Sequence, residues 1–334
     1  MTRLRFIACA AALLLAAVSV PAAANDSTAT LGAGGLELTR TDAIELRSED
    51  LAVSREQVAI RYEFFNKSAR EVRTLVAFPL PAVDLGDYAD IDINVPSDDP
   101  VNFVGFAVKV DGRPVVPRVE VKAERDGRDV TQMLKDSKVP VSAFAPALID
   151  ALWALPKAQQ RALSDAGLVE YQHEYNSVRP LWTARITYFW EMAFPPGRAT
   201  VVEHTYAPVY GTQFVGAWTL DDPSEDERKW LARYCVDNAM RADLRSRMDA
   251  GAQAGEPAYL LADTIAYVLT TARNWHGPIG RFRVTLDSGH PDNLLATCLP
   301  GIRKTGPTTW TLERRNYVPK GELDVLIVRG EPTQ

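Results

Sequence analysis

Residues 182–190 read WTARITYFW. Trp182, Ala184, Ile186, Tyr188 and Trp190 are apolar or aromatic, and Thr183, Arg185 and Thr187 alternate with them. Successive side chains leave a β-strand on opposite sides, so a period of two marks a strand with one face in a core. The same alternation returns elsewhere. In VAIRYEFFN (58–66), Val58, Ile60, Tyr62 and Phe64 share a face; in FVGFAVKV (103–110), Val104, Phe106, Val108 and Val110 do, and DGRP supplies a turn after them. Further strands are predicted at 200–206 (TVVEHTY), 281–287 (RFRVTLD), 308–313 (TTWTLE) and 323–328 (LDVLIV), with Gly, Pro, Asn and Asp between them. The fold class that follows is mainly β: two antiparallel β-sandwich-like domains with short helical insertions.

Helical patterning interrupts the strands twice. Between 129 and 168, DVTQMLKDSK, SAFAPALIDALWAL and PKAQQRALSDAGL predict short helices, with Pro156 at a first helical position and Gly167 at a stop. Near 222–250, Asp222 is placed to cap a helix opened by Pro223, and Trp230, Leu231, Tyr234 and Cys235 share one face. The expected organisation is a signal peptide at 1–24, an N-terminal β domain at 25–118, a helical insertion at 119–176 and a C-terminal β domain at 177–334.

The segment expected to be removed carries Arg3 and Arg5, an apolar run from Phe6 to Val20, then Pro21 and three alanines before Asn25. That is the pattern of a secretory signal, and the run is shorter than the roughly 20 residues a membrane helix needs. The expected location is periplasmic or secreted, with a mature chain starting at Asn25 and no later membrane span. The 334 residues carry 37 Lys+Arg against 43 Asp+Glu, a formal charge of −6. An acidic chain is a poor match for nucleic acid or other acidic partners, which need clustered cations. Past the signal two cysteines remain, Cys235 and Cys298. An even pair in an exported chain most simply forms one disulfide, and closing such a loop stabilises a fold by about 4 kcal/mol in the chain-entropy picture.

Several stretches taken together, NDSTATLGAGGLEL, SEDLAVSREQVAIRYEFFN with VAFPLP, HTYAPVYG and NWHGPIGRFRV, resemble the DUF4424 family of secreted bacterial proteins of unknown function. The resemblance runs over almost the whole mature chain. It implies a secreted protein and brings no assigned activity, so no catalytic residue is carried over.

Chemistry is sought next in TARNWHGPIG, residues 271–280. Gly277, Pro278 and Gly280 account for a turn between strands expected on either side. Trp275 and His276 are not turn formers; they offer a surface for stacking on a sugar or anchoring a partner, unless Trp275 folds back as a lid on the sandwich. His204 shares a strand face with Val202 and Tyr206, as a half-buried core histidine or as a base. His173 stands among carboxylates in EYQHEY. No zinc signature, serine-nucleophile elbow or phosphate loop is present, and GAGG at 32–35 follows no strand of a βαβ unit. SDDP (97–100) is dense enough for a loose calcium site, whereas DDPSEDE (221–227) suits a helix start. No metal or cofactor is expected. The leading expectation is an exported, non-catalytic binding protein acting on an envelope protein or glycan, with Trp275, His276, His204 and Tyr206 as candidate binding residues. The alternatives are an envelope hydrolase with His204, His173 or an acidic pair as general base, and a structural spacer.

Overall fold

The computed structural model describes residues 25–32, 35–86, 92–142, 144–255 and 259–330. The signal segment expected over 1–24 lies outside the described residues, as do Ala33 and Gly34 of the GAGG stretch.

The chain is mainly β, with antiparallel and mixed sheets and few short helices. WTARITYFW forms most of the strand Thr183–Phe194, which runs inside a seven-stranded sheet between Arg118–Arg125 and Val72–Pro79. An eight-stranded sheet holds Ile44–Val53, Val58–Asn66, Ala199–Tyr206 and Ile279–Asp287 in its interior, and a five-stranded sheet is centred on Tyr259–Tyr267. One hydrophobic core takes side chains from all three, among them Ile60, Phe78, Tyr188, Phe282 and Val325. Strands from 25–118 and from 177–334 occur in each large sheet, so the sheets are shared across the expected segment boundaries. On the less buried side of the eight-stranded sheet, Arg281 meets Asp50 at 2.9 Å and Arg283 meets Glu313 at 3.0 Å.

Two differences from the sequence reading have clear causes. Arg118–Arg125, expected to open the helical insertion, is a strand, because Val119, Val121 and Ala123 alternate with charged residues. Tyr259–Tyr267 has no clean alternation because both its faces are covered: Ile265 and Tyr267 enter the main core, while Leu260 and Ala262 meet the helices Glu225–Arg233 and Asn238–Gln253 through Leu231, Leu244 and Met248. Within the expected insertion, the helices Thr131–Asp136, Leu148–Ala154 and Lys157–Asp165 pack Leu134, Leu152 and Leu163 around Trp182 and Ala184. Pro156 precedes the third of these and Gly167, at φ +68°, follows it. The expected cap at Asp222 is corrected to Ser224. Its hydroxyl accepts from the Glu227 N–H, and the Glu227 carboxylate accepts from the Ser224 N–H, which satisfies two exposed helix-end donors reciprocally. Cys235 and Cys298 lie at disulfide distance, with Cα atoms 5.1 Å apart, tying the end of that helix to the segment after Leu294–Ala296. No helix among the described residues is long and apolar enough to cross a membrane.

The stretch 271–280 is not a simple link between two strands. Residues expected as strand before it form the short 3-10 turn Thr270–Asn274. Beyond it, Ile279–Asp287 lies parallel to Ile44–Val53, and the His276 N–H already bonds the Ile44 carbonyl at 2.8 Å. Gly277 turns the chain at φ +74°. At Gly280 a Cβ would meet the Arg47 carbonyl oxygen at 2.6 Å, so only glycine allows the two backbones to run this close.

Candidate functional site

A bulge at Arg47 builds the polar centre of the molecule. In the strand Ile44–Val53 the inward residues are Ile44 and Leu46 before the register shift, and Glu49, Leu51 and Val53 after it. One extra residue reverses which face each side chain takes, and this one turns the Glu49 carboxylate into the core, fully buried. Opposite it the chain enters its first strand, Ser27–Gly32, through Asn25 and Asp26, which are also fully buried.

These two residues are clamped by the 271–280 stretch. The Thr271 hydroxyl donates to the Asn25 carbonyl at 2.6 Å, the Trp275 indole N–H to the Asp26 carbonyl at 2.6 Å, and the Asn274 amide to the Ser27 hydroxyl oxygen at 2.8 Å. Side chains complete the cluster. The Asn25 amide donates to Glu49 Oε2 at 3.1 Å, the Tyr62 hydroxyl donates to Asn25 Oδ1, and the Tyr62 and Tyr267 hydroxyls are 3.0 Å apart. His204 Nε2 stands 3.2 Å from Asp26 Oδ2, both fully buried, yet off the alignment of a hydrogen bond. Glu49 Oε1 likewise has no hydrogen bond of normal geometry, although Tyr267 lies close. Burial dominates the protonation of both acids: it raises the Asp26 pKa against the opposing pull of His204, and pushes that of Glu49 up to about 8.

Trp275 and His204 both meet Asp26 inside the core, Trp275 at its carbonyl and His204 at its carboxylate. Trp275 points inward, 2% exposed, with its ring 4.5 Å from that of Phe64, and offers no surface for stacking. His276 lies apart and partly exposed, with Nε2 2.6 Å from Lys67 Nζ and Nδ1 3.8 Å from Asp42. His173 is exposed, its ring stacked on Tyr171, and His290 stands by Asp292 at 3.6 Å. The four histidines occupy four separate places. The Asp99 carboxylate of SDDP accepts the N–H groups of Val101 and Asn102, bonds that hold its pKa below the ordinary range and use one of its oxygens to shape the loop. In DDPSEDE, Glu227 serves the helix cap and Asp221 pairs with Arg245. Among the described residues no three of His, Cys, Asp and Glu converge as metal ligands.

Tyr206 differs from its strand neighbour His204. It lines a cavity of about 490 Å³ that opens between the seven-stranded sheet, the five-stranded sheet and the helix Glu225–Arg233. Phe103, Phe144, Val209 and Trp230 provide apolar walls, and Glu322 and Asp324 stand at its side. Those two acids already have work: Glu322 accepts from the Leu269 and Thr270 N–H groups, and Asp324 pairs with Arg233 at 2.7 Å. By contrast, the buried Tyr206 hydroxyl and the Trp230 indole N–H have no hydrogen-bond partner. Desolvation keeps the Tyr206 hydroxyl protonated by raising its pKa well beyond the ordinary range. Trp230 was read from the sequence only as part of a helix face; the signal missed was that an indole on a core-facing stripe still needs a partner for its N–H.

The architecture and this cavity define a mainly-β protein with a mid-sized internal pocket at the meeting of its sheets. The model of DUF4424, a domain of unknown function, matches residues 24–326, and the chain belongs to that family. A comparison with curated proteins finds no match. Among solved structures, one described as a "putative nutrient binding protein" from Legionella pneumophila subsp. pneumophila str. Philadelphia 1 is similar at a TM-score of 0.46 and 13% identity, over 91% of this chain and 70% of that one.

Proposed function

We propose that this protein is exported to the cell envelope and works there by binding, without catalysis, with its ligand seated in the cavity beside Tyr206. The observation that carries this reading is that Tyr206 and Trp230, whose side-chain donors are buried without a partner inside the protein, both line one cavity. A buried donor left unmade destabilises a fold by about 1–3 kcal/mol, and these two stand on residues that share one cavity. The volume of about 490 Å³ falls within the roughly 300–1,000 Å³ of small-molecule sites. Aromatic walls suit a ligand with an apolar ring face, such as a short envelope glycan. The scattered histidines support binding over hydrolysis, since a general base needs a second group within hydrogen-bond reach of the same substrate atom.

The test is a thermal-shift and calorimetric screen of residues 25–334 against peptidoglycan fragments and common envelope sugars. A ligand at about a hundred times its dissociation constant raises stability by about 2.7 kcal/mol. The expected result is a shift that shrinks in Tyr206→Phe and in Trp230→Phe. A shift untouched by both substitutions would place the ligand elsewhere, and turnover of a bound fragment would replace binding by hydrolysis.

A further inference from the structure

We infer that the protein's own α-ammonium group, released at Asn25 when the Ala24–Asn25 bond is cut, is the cation of the buried polar centre and pairs with Glu49. The inference rests on the export reading above and on two buried acids that share one basic side chain, His204. Two carboxylates, Asp26 and Glu49, are fully buried within one cluster. Asp26 has His204 at 3.2 Å. Glu49 faces the Asn25 amide and the Tyr267 and Tyr62 hydroxyls, none of them cationic, and its Oε1 has no hydrogen-bond partner. A carboxylate taken out of water without a cation is among the least favourable arrangements a core can hold.

The missing cation has a source at the right residue. The Asn25 side chain is already fixed on Glu49 Oε2, and its carbonyl is fixed by Thr271, so Asn25 is anchored in the same cluster as that carboxylate. In the uncut chain the nitrogen of Asn25 is a neutral amide with one N–H. Hydrolysis adds one water across the Ala24–Asn25 bond, leaves a carboxylate on Ala24, and leaves on Asn25 an amine that takes up a proton. That ammonium brings three N–H donors and one positive charge into the cluster. Removal of the leader is then the step that completes the core, and the cut chain is the more stable one.

Three measurements decide it. Mass spectrometry of the protein recovered from exporting cells is expected to show Asn25 as the first residue; any other start overturns the inference. A chain that retains Ala23 and Ala24 is expected to melt several degrees below one that begins at Asn25, and the gap is expected to close when both carry Glu49→Gln. Equal melting in the wild-type background overturns it. If Glu49→Gln does not fold, titration of the ¹³C-methylated α-amine in the wild-type chain decides instead. A paired amine titrates above the ordinary range of about 7.7–8.0, and an amine that titrates within it is unpaired. None of these readings involves the cavity, so a failed ligand screen and a failed pairing are told apart.

Discussion

His204 and Tyr206 stand two residues apart on one face of the same strand, and both are buried. His204 meets Asp26, and through it the clamp formed by Thr271, Asn274 and Trp275. Tyr206 lines the cavity, and its hydroxyl has no partner within the protein. The difference lies in what the rest of the chain brings to each position. Beside residue 204 Asn25 and Asp26 fill the space, whereas residue 206 lines the cavity. A buried polar group that the protein itself engages belongs to the scaffold. One that lines a cavity without a partner, as Tyr206 does, is where the proposed binding function is to be tested.

The largest effects are expected on the scaffold side. Trp275→Ala removes a fully packed indole and the donor to the Asp26 carbonyl, and a loss of about 3–5 kcal/mol in denaturant unfolding is expected for such a truncation. A loss below about 1 kcal/mol would mean that the clamp does not hold residues 25–27 in solution, and the comparison would lose one of its terms. His204→Leu leaves the buried Asp26 carboxyl without its polar neighbour, and a loss of about 1–3 kcal/mol is expected; ligand binding at the cavity is expected to weaken only as far as the fold loosens.

A smaller effect sharpens the comparison through pH. With an ordinary peptide amide at residue 25, burial pushes the Glu49 carboxyl from 4.5 up to about 8; near it stand Asn25, Asp26, Tyr62, Tyr267 and Tyr317, with Asp50 on the other face of the strand and His204 across from Asp26. Between those two values the folded chain holds a proton that the unfolded chain has released, so stability falls as pH rises through the window. A chain that retains Ala23 and Ala24 is expected to lose melting temperature steadily across that range, with burial of Asp26 acting in the same direction. The chain that begins at Asn25 is expected to show the shallower slope, because the ammonium holds Glu49 ionised. Equal slopes would remove the ammonium from the centre.

Much of the fold was legible because alternation is local. VAIRYEFFN and LDVLIV are strands at the residues expected, and WTARITYFW lies in a strand that starts at Thr183 and runs on to Phe194. Tyr259–Tyr267 was not legible, because a strand covered on both faces loses its period. Glu49 was not legible either: in SEDLAV it reads as surface, and only the bulge at Arg47 turns it inward. His204 and Tyr206 could be singled out from their face, but their different fates depend on Asp26, Trp275 and Trp230. Tyr62 and Tyr267, whose hydroxyls meet, are 205 residues apart.

The smallest effect tests the comparison most directly, because it applies one chemical change on both sides. Tyr62→Phe and Tyr206→Phe each remove a single oxygen from a buried ring. In the first case Asn25 Oδ1 loses its donor and the Tyr267 hydroxyl its neighbour, and a penalty of about 1–3 kcal/mol is expected for the groups left unpaired. In the second no protein group loses a partner, so stability without ligand is expected to stay within about 0.5 kcal/mol or to rise. The loss in Tyr206→Phe should appear only in calorimetry with a bound fragment. If the two variants unfold alike, Tyr206 has a partner inside the protein, and the distinction between scaffold and site at this strand fails.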